Sequence, residues 1–283
     1  MRSSSVRSDL KTKAMRRRDR RNTNRADRLS RRRRLAPAIE PLESRLLLAF
    51  TPELLSDINT LGVSARPDSL TEFNGGVVFV ADDGLTGSEL WTSDGTEAGT
   101  VQVADLLAGP DGSQPADLTV VGGELFFTAL DEDDELDLWK SDGTTAGTVK
   151  VFDADAAGVY YMNDLTESGG KLFFVAYEQA TGYELWVSDG TSAGTMLVRD
   201  INPDQTIIDG PQELTEVNGT LFFTNAQSGY DNRELFKSDG TLAGTVLVAN
   251  INIDPYLGSN PSFLTNSGGT LYFAAEGAVD GVE

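Results

Sequence analysis

The stretch Glu184-Leu185-Trp186-Val187-Ser188-Asp189-Gly190-Thr191-Ser192-Ala193-Gly194-Thr195 recurs along this chain with few changes. Its counterparts begin at Glu89, Asp137 and Glu234, with Phe236 in place of the tryptophan in the last of them. The Ser-Asp-Gly triplets start at Ser93, Ser141, Ser188 and Ser238, so the period is 48, 47 and 50 residues. A fixed period of this length is the signature of propellers and solenoids, in which one supersecondary unit stacks on the next.

Working outward, a Leu-Thr pair recurs at Leu70, Leu118, Leu165, Leu214 and Leu264. Each lies four residues before Asn74-Gly75, Gly122-Gly123, Gly169-Gly170, Asn218-Gly219 or Gly268-Gly269. These pairs suit a type I′ hairpin turn, whose two central residues both need positive φ. The turn is followed by Val77-Val78-Phe79, Leu125-Phe126-Phe127, Leu172-Phe173-Phe174, Leu221-Phe222-Phe223 or Leu271-Tyr272-Phe273. Neighbouring residues on a strand point to opposite faces, so an unbroken apolar triplet predicts a sheet buried on both sides. The Glu-Leu-Trp segment supplies a third strand, and residues such as Val101-Gln102-Val103 a fourth.

The fold class read from this pattern is all-β, a β-propeller-like array of four-stranded antiparallel blades. Repeats start near residues 68, 116, 163, 212 and 262, giving four full repeats and a partial one. Glu53-Leu54-Leu55-Ser56-Asp57-Ile58 aligns with a fourth strand and is expected to be one. Glu283 falls at the start of a Glu-Leu-Trp strand, so the last blade is expected to stop midway.

Charge divides the chain in two. Residues 1–50 carry 16 of the 23 Lys and Arg and 5 of the 44 Asp and Glu, a net +11, while 51–283 carry −32. The first segment, with Arg16-Arg17-Arg18 and Arg31-Arg32-Arg33-Arg34, lacks the apolar content to fold alone and is expected to be a disordered basic leader. The acidic body repels polyanions, so nucleic acid is not expected as its partner, whereas proteins, neutral glycans and cations are. With no Cys and no His, the 283 residues offer no disulfide framework, thiol nucleophile, imidazole base or histidine zinc site. No apolar run is long enough for a transmembrane helix.

Two resemblances bear on location. Ile39-Glu40-Pro41-Leu42-Glu43-Ser44-Arg45-Leu46-Leu47-Leu48-Ala49 resembles the LEPR-XLL motif at the head of exported bacterial proteins, with Ile39 and Ser44 as departures. Glu89–Thr100, Glu184–Thr195 and Glu234–Thr245 resemble the ELWxxDGTxxGT repeat of bacterial extracellular proteins, often labelled hyalin-like. These resemblances imply a propeller and an extracellular or cell-surface location, and they attach no catalytic residue to the repeat.

Candidate sites are few. Asp94, Asp142, Asp189 and Asp239 form a repeated set, but Asp-Gly-Thr sequences also stabilise tight loops without any ligand. Trp91, Trp139, Trp186 and Phe236 at one strand position are expected in the core between blades. Asp200, Asn202 and Asp204, and again Asn250, Asn252 and Asp254, have the alternate-oxygen spacing of calcium ligands, without the glycine and twelfth-position ligand of a calcium loop. The run Asp131-Glu132-Asp133-Asp134-Glu135 is expected to be a solvated loop, and Arg66, Arg199 and Arg233 occupy three unrelated blade positions. No carboxylate pair stands out as a glycosidase pair. The function expected is a non-enzymatic exported or cell-surface scaffold for binding or adhesion, with a protein or glycan ligand. The alternative is the propeller portion of a secreted carbohydrate-active enzyme, or a calcium-dependent accessory module.

Overall fold

The computed structural model describes residues 54–62, 64–201, 203, 210–226, 232–252, 258–277 and 281–282. They belong to a compact unit, Leu54–Glu283. The basic leader and the LEPR-XLL-like stretch lie outside the described residues.

Four meanders of four antiparallel strands follow one another. The first blade comprises β1 (Asp68–Phe73), β2 (Gly76–Asp82), β3 (Ser88–Ser93) and β4 (Val101–Ala104). The second comprises β5 (Ala116–Val121), β6 (Glu124–Leu130), β7 (Leu136–Ser141) and β8 (Val149–Phe152), and a short helix α1 (Ala154–Ala157) leads out of it. The third holds β9 (Val159–Ser168), β10 (Lys171–Glu178), β11 (Gly182–Ser188) and β12 (Met196–Arg199). The fourth holds β13 (Gln212–Val217), β14 (Thr220–Ala226), β15 (Arg233–Ser238) and β16 (Val246–Ala249). After it come the hairpin β17 (Ser262–Ser267) and β18 (Thr270–Ala274), then a small pair, β19 (Glu276–Gly277) and β20 (Gly281–Val282).

The hairpin reading holds at all five sites. Asn74 and Gly75 have φ of 50° and 80°, Gly122 and Gly123 60° and 90°, and the other three pairs are alike. Positive φ at both central residues matches the turn twist to the strand twist.

The apolar triplets work as two-faced core. Leu125 and Phe127 pack with Phe73, Val78 and Leu90 of the first blade. Phe126, between them in sequence, packs with Leu172, Phe174 and Trp186 of the third. Phe173 then points the other way, to Leu221, Phe223 and Phe236 of the fourth. The second and third blades are thus each the filling between their neighbours, while the first blade also carries a cluster of its own, Phe79, Ala81 and Trp91. Trp186 and Phe236 are buried and Trp139 is half-buried between blades, as expected of them, whereas Trp91 is buried against Phe79 and Ala81 of its own blade and Ile58 and Ala65 of the segment before it.

The first strand of every blade lies beside the first strand of the next, β1 to β5 to β9 to β13 to β17, so these five are the inner strands. Each carries a register break beside a non-glycine residue in the left-handed region. These residues are Ser69, Asp117, Asp164, Glu213 and Phe263, with φ between 53° and 59°. A bulge of this kind bends the strand and re-aims a side chain. The threonine of each Leu-Thr pair holds it: Thr71, Thr166 and Thr265 donate to the carbonyls of Ser69, Asp164 and Phe263 at 2.9–3.1 Å.

One expectation fails. Residues 54–59 form no strand, and Leu54 is 82% exposed. The described part of this segment has no fourth-strand ladder to join. It contacts the first blade through Asn59, which donates to the Asp82 carbonyl at 3.2 Å, and through Ile58 and Ala65 packed against Phe79, Ala81 and Trp91.

Candidate functional site

The most repeated polar feature is structural. Asp94 Oδ1 accepts from the Thr96 N–H at 2.9 Å and the Thr96 hydroxyl at 2.7 Å, and Ser93 Oγ lies 2.7 Å from Thr100 Oγ1. Asp142, Asp189 and Asp239 repeat the arrangement with Thr144, Thr191 and Thr241. Hydrogen bonds from the threonines hold all four carboxyls below the usual aspartate range. Their contribution to stability is therefore present above the unfolded aspartate pKa and is lost as pH falls through the lowered folded value. The glycine of Ala-Gly-Thr is fixed by the same carboxylate, since a Cβ added to Gly194 would sit 2.0 Å from Asp189 Oδ1. Gly194→Ala is expected to lower the melting temperature by roughly 2–8 °C, read by calorimetry.

A second repeated device carries the acid of Glu-Leu-Trp. Glu89 is buried and accepts from the Ser113 N–H at 2.7 Å and the Ser113 hydroxyl at 2.5 Å. Glu234 does the same with Ser259 at 3.0 and 2.5 Å, and Glu184 accepts from the Ile201 N–H at 3.1 Å. The acid clasps the connector that leads into the next blade. Gly112 and Gly258 let that connector approach, since a Cβ on either would lie 2.4 Å from a backbone nitrogen of the third strand. Burial raises Glu89 above the usual glutamate value, against the hydrogen bonds from Ser113. The Gly-Ser ahead of two of the bulges, at Gly112-Ser113 and Gly258-Ser259, is the sequence signal for this clasp.

The second blade departs from the pattern. Asp137 replaces Glu and accepts from the Ala154 N–H of α1 at 2.8 Å, with Lys150 Nζ at 2.5 Å from its other oxygen. Lys150 also meets Asp131 at 2.6 Å. Burial works against the charge of Lys150, yet hydrogen bonds to Asp131 and Asp137 hold its pKa well above an ordinary lysine. Asp131 is not solvated as expected. It is buried, and its carboxylate accepts from the Asp133 and Glu135 N–H groups at 2.8 and 3.3 Å, so that it shapes the acidic turn.

That turn, α1 and the N-terminal end of β9 enclose a cavity of about 620 Å³. Its apolar wall is Leu130, Leu136 and Val159, its aromatic wall Tyr160 and Tyr161, and its acids are Asp134, Glu135 and Asp155. Tyr161 is 70% exposed and has φ of 53°. Burial, then the charges of Asp155, Asp131, Asp133 and Asp137, raise Glu135 above the usual glutamate value.

The inner-strand bulges bring carboxylates of successive blades together. Asp117 is raised above the usual aspartate value, first by desolvation among the inner strands and then by the charge of Asp164. Glu213 Oε2 accepts from the Leu264 N–H at 2.9 Å. Bulge residues were missed from the sequence because the positions hold Ser, Asp, Asp, Glu and Phe, of which only Asp favours a left-handed backbone, so no shared residue type marks them.

Of the calcium-type residues, Asn202, Asp204 and Asp254 lie outside the described residues. Asp200 follows β12, Asn250 is exposed, and Asn252 is buried with its amide donating to the Gly258 carbonyl at 3.2 Å. Among the described residues no group of three or more Asp or Glu is placed to hold a metal ion. The arginines stay apart. Arg199 donates to the Thr245 carbonyl, Arg233 to the Gly210 and Thr224 carbonyls, and Arg66 is exposed. No helix among the described residues is long and apolar enough to cross a membrane.

No family model matches the chain, and no curated protein is similar to it in sequence. Solved structures do match in fold. A puromycin hydrolase aligns at a TM-score of 0.50 and 17% identity, over 75% of this chain and 34% of that one. Prolyl endopeptidases align at 0.45 and 13%, over 71% and 29%. A thermostable family-43 glycoside hydrolase aligns at 0.34 and 11%, over 76% and 85%. The chain spans about a third of the length of the first of these. The fold is of the propeller type, as the successive four-stranded meanders and the puromycin hydrolase likeness both show. The puromycin hydrolase is an enzyme, which goes against the expectation of a non-enzymatic adhesion scaffold and favours the alternative reading, while at 17% identity the likeness itself shows the fold alone. Because the puromycin hydrolase is matched over only a third of its length, a propeller of this kind need not itself hold the catalytic residues.

Proposed function

We propose that this chain is the propeller portion of an exported hydrolase, and that its inner strands hold and orient substrate for a catalytic centre that the rest of the polypeptide supplies. The observation that carries this reading is the set of five left-handed bulges, at which four kinds of side chain vary on an otherwise constant frame. Strained backbone persists where the surrounding structure over-determines it, commonly at functional sites. Asp117 and Asp164 are close enough for one charge to shift the other, which makes them the polar centre of that surface. The −32 charge of the body favours neutral or cationic substrates over polyanions. Absence of histidine from these 283 residues keeps a Ser-His-Asp triad out of them. Export rests on the two sequence resemblances given above.

The test uses the native polypeptide that carries this chain, isolated from culture medium and cell envelope with an antibody against residues 54–283. Chromogenic aminoacyl and glycosyl substrates are then assayed. The result expected is turnover of at least one class, with Asp117→Asn and Asp164→Asn each lowering kcat/KM about tenfold, the size of one charge-assisted contact, at unchanged melting temperature. A polypeptide that turns over neither class, or variants with unaltered kinetics, would contradict the proposal.

A further inference from the structure

We propose that the cavity at the junction of the second and third blades binds an organic cation with an apolar stem, of the chemistry of an arginine or lysine side chain in a peptide. This goes beyond the hydrolase reading and does not depend on it. The cavity is made where the repeat breaks down. The acidic turn after β6, the helix α1 in place of a Gly-Ser connector, and the extension of β9 to ten residues all converge there. A feature that serves only the fold would recur from blade to blade, as the Ser-Asp-Gly-Thr loops and the acid clasps do. These three elements occur once among the described residues.

Size and lining select the ligand. A volume of about 620 Å³ lies in the range of small-molecule sites. Leu130, Leu136 and Val159 offer an apolar surface to an aliphatic stem, and Tyr160 and Tyr161 in the lining supply aromatic rings of the kind that attract a cation. Asp134, Glu135 and Asp155 give the rim its charge, and no basic residue lines the cavity. The nearest fixed cation of the second blade, Lys150, is spent between Asp131 and Asp137. The negative field is therefore left uncompensated, and after desolvation it is the charges of Asp155, Asp131, Asp133 and Asp137 that raise Glu135. A bare metal ion fits poorly, since no three carboxylates among the described residues converge as metal ligands do. A guanidinium or ammonium on a stem reaches separated carboxylates by hydrogen bonds and spans the apolar wall between them.

The experiment is an isothermal titration of the full chain at pH 7 with acetyl-Gly-Arg-Gly-amide and with the same peptide carrying citrulline, the uncharged isostere of arginine. The arginine peptide is expected to bind roughly tenfold tighter. Glu135→Gln and Asp155→Asn should each weaken it several-fold, and Tyr161→Ala likewise, with the melting temperature unmoved. Affinity should rise with pH as Glu135 loses its proton and fall as salt is added. Equal binding of the two peptides, no binding of the arginine peptide at millimolar concentration, or full affinity in Glu135→Gln would each overturn the proposal. Because the readout is equilibrium binding by this chain, its outcome is separate from whether the native polypeptide is a hydrolase.

Discussion

Replacing Phe173 by alanine is expected to cost about 3–5 kcal/mol of unfolding free energy. The ring is 1% exposed and sits between the third and fourth blades, against Leu221, Phe223 and Phe236. The Ser-Asp-Gly loop of the fourth blade also closes over it, for a Cβ on Gly240 would lie 3.2 Å from its Cζ. A blade of four short strands has no interior, so its apolar area is buried almost wholly against its neighbours, and stability runs through interfaces of this kind. The hole left by the missing ring cannot close without moving a whole sheet. In a unit of this size the melting temperature should fall by roughly 6–20 °C. Phe263, at the bulge of the last inner strand and 79% exposed, is the contrast: Phe263→Ser should change stability by no more than about 0.5 kcal/mol. Equal losses at the two positions would deny that the inter-blade clusters carry the fold.

Lys150→Met should be nearly as damaging, for an electrostatic reason. Asp137 is 1% exposed, and Lys150 is the cation that compensates it. Removing one partner of such a pair leaves a buried charge, which typically costs 3–5 kcal/mol. Lys150 keeps some solvent contact, so about 2–3 kcal/mol is the reasonable figure here. Packing does not require the lysine, because Gln102, Leu197 and Leu247 occupy the same register opposite Trp91, Trp186 and Phe236. The pH dependence follows from the acid. Burial already holds Asp137 above the usual aspartate value despite Lys150, and without the lysine its folded pKa rises further. The folded variant then binds a proton that the unfolded chain does not, so its stability falls as pH rises through that window. Acid should narrow the gap to the parent protein. The double change Lys150→Met with Asp137→Asn should recover most of the loss, which separates buried charge from lost packing. Urea melts at pH 5 and pH 8 measure all of these.

The parts of this fold that were legible in the sequence are those whose physics is local. Asn74-Gly75 and Gly122-Gly123 announce their turns because only such pairs adopt positive φ twice in succession at little cost. Leu125-Phe126-Phe127 announces a two-sided sheet because alternation puts adjacent side chains on opposite faces. Asp189-Gly190-Thr191 closes its own loop, and it does so without help from elsewhere. What escaped depends on partners distant in sequence. Glu89 finds Ser113 across 24 residues, and Lys150 finds Asp131 across 19. The segment after Glu53 matches a fourth strand in sequence, but a strand needs a ladder to join, and here Leu54 and Leu55 stay exposed. The acidic run 131–135 reads as solvent-facing by composition, whereas Asp131 is drawn inward by Lys150 and by the N–H groups of its own turn. The candidate site was illegible for the same reason: the cavity joins Leu130 to Tyr161, and only the departure of three elements from the repeat marked the place.

The central claim is that successive blades bring their inner-strand bulges together, so that side chains from separate repeats form one surface. Carboxyl-carbon NMR titration of Asp117, in the parent chain and in Asp164→Asn, tests it directly. Asp117 should titrate above the ordinary aspartate value, and neutralising Asp164 should lower that midpoint while leaving it raised, since desolvation by the neighbouring strands persists. An ordinary midpoint for Asp117, or one that ignores the change at Asp164, would contradict the claim.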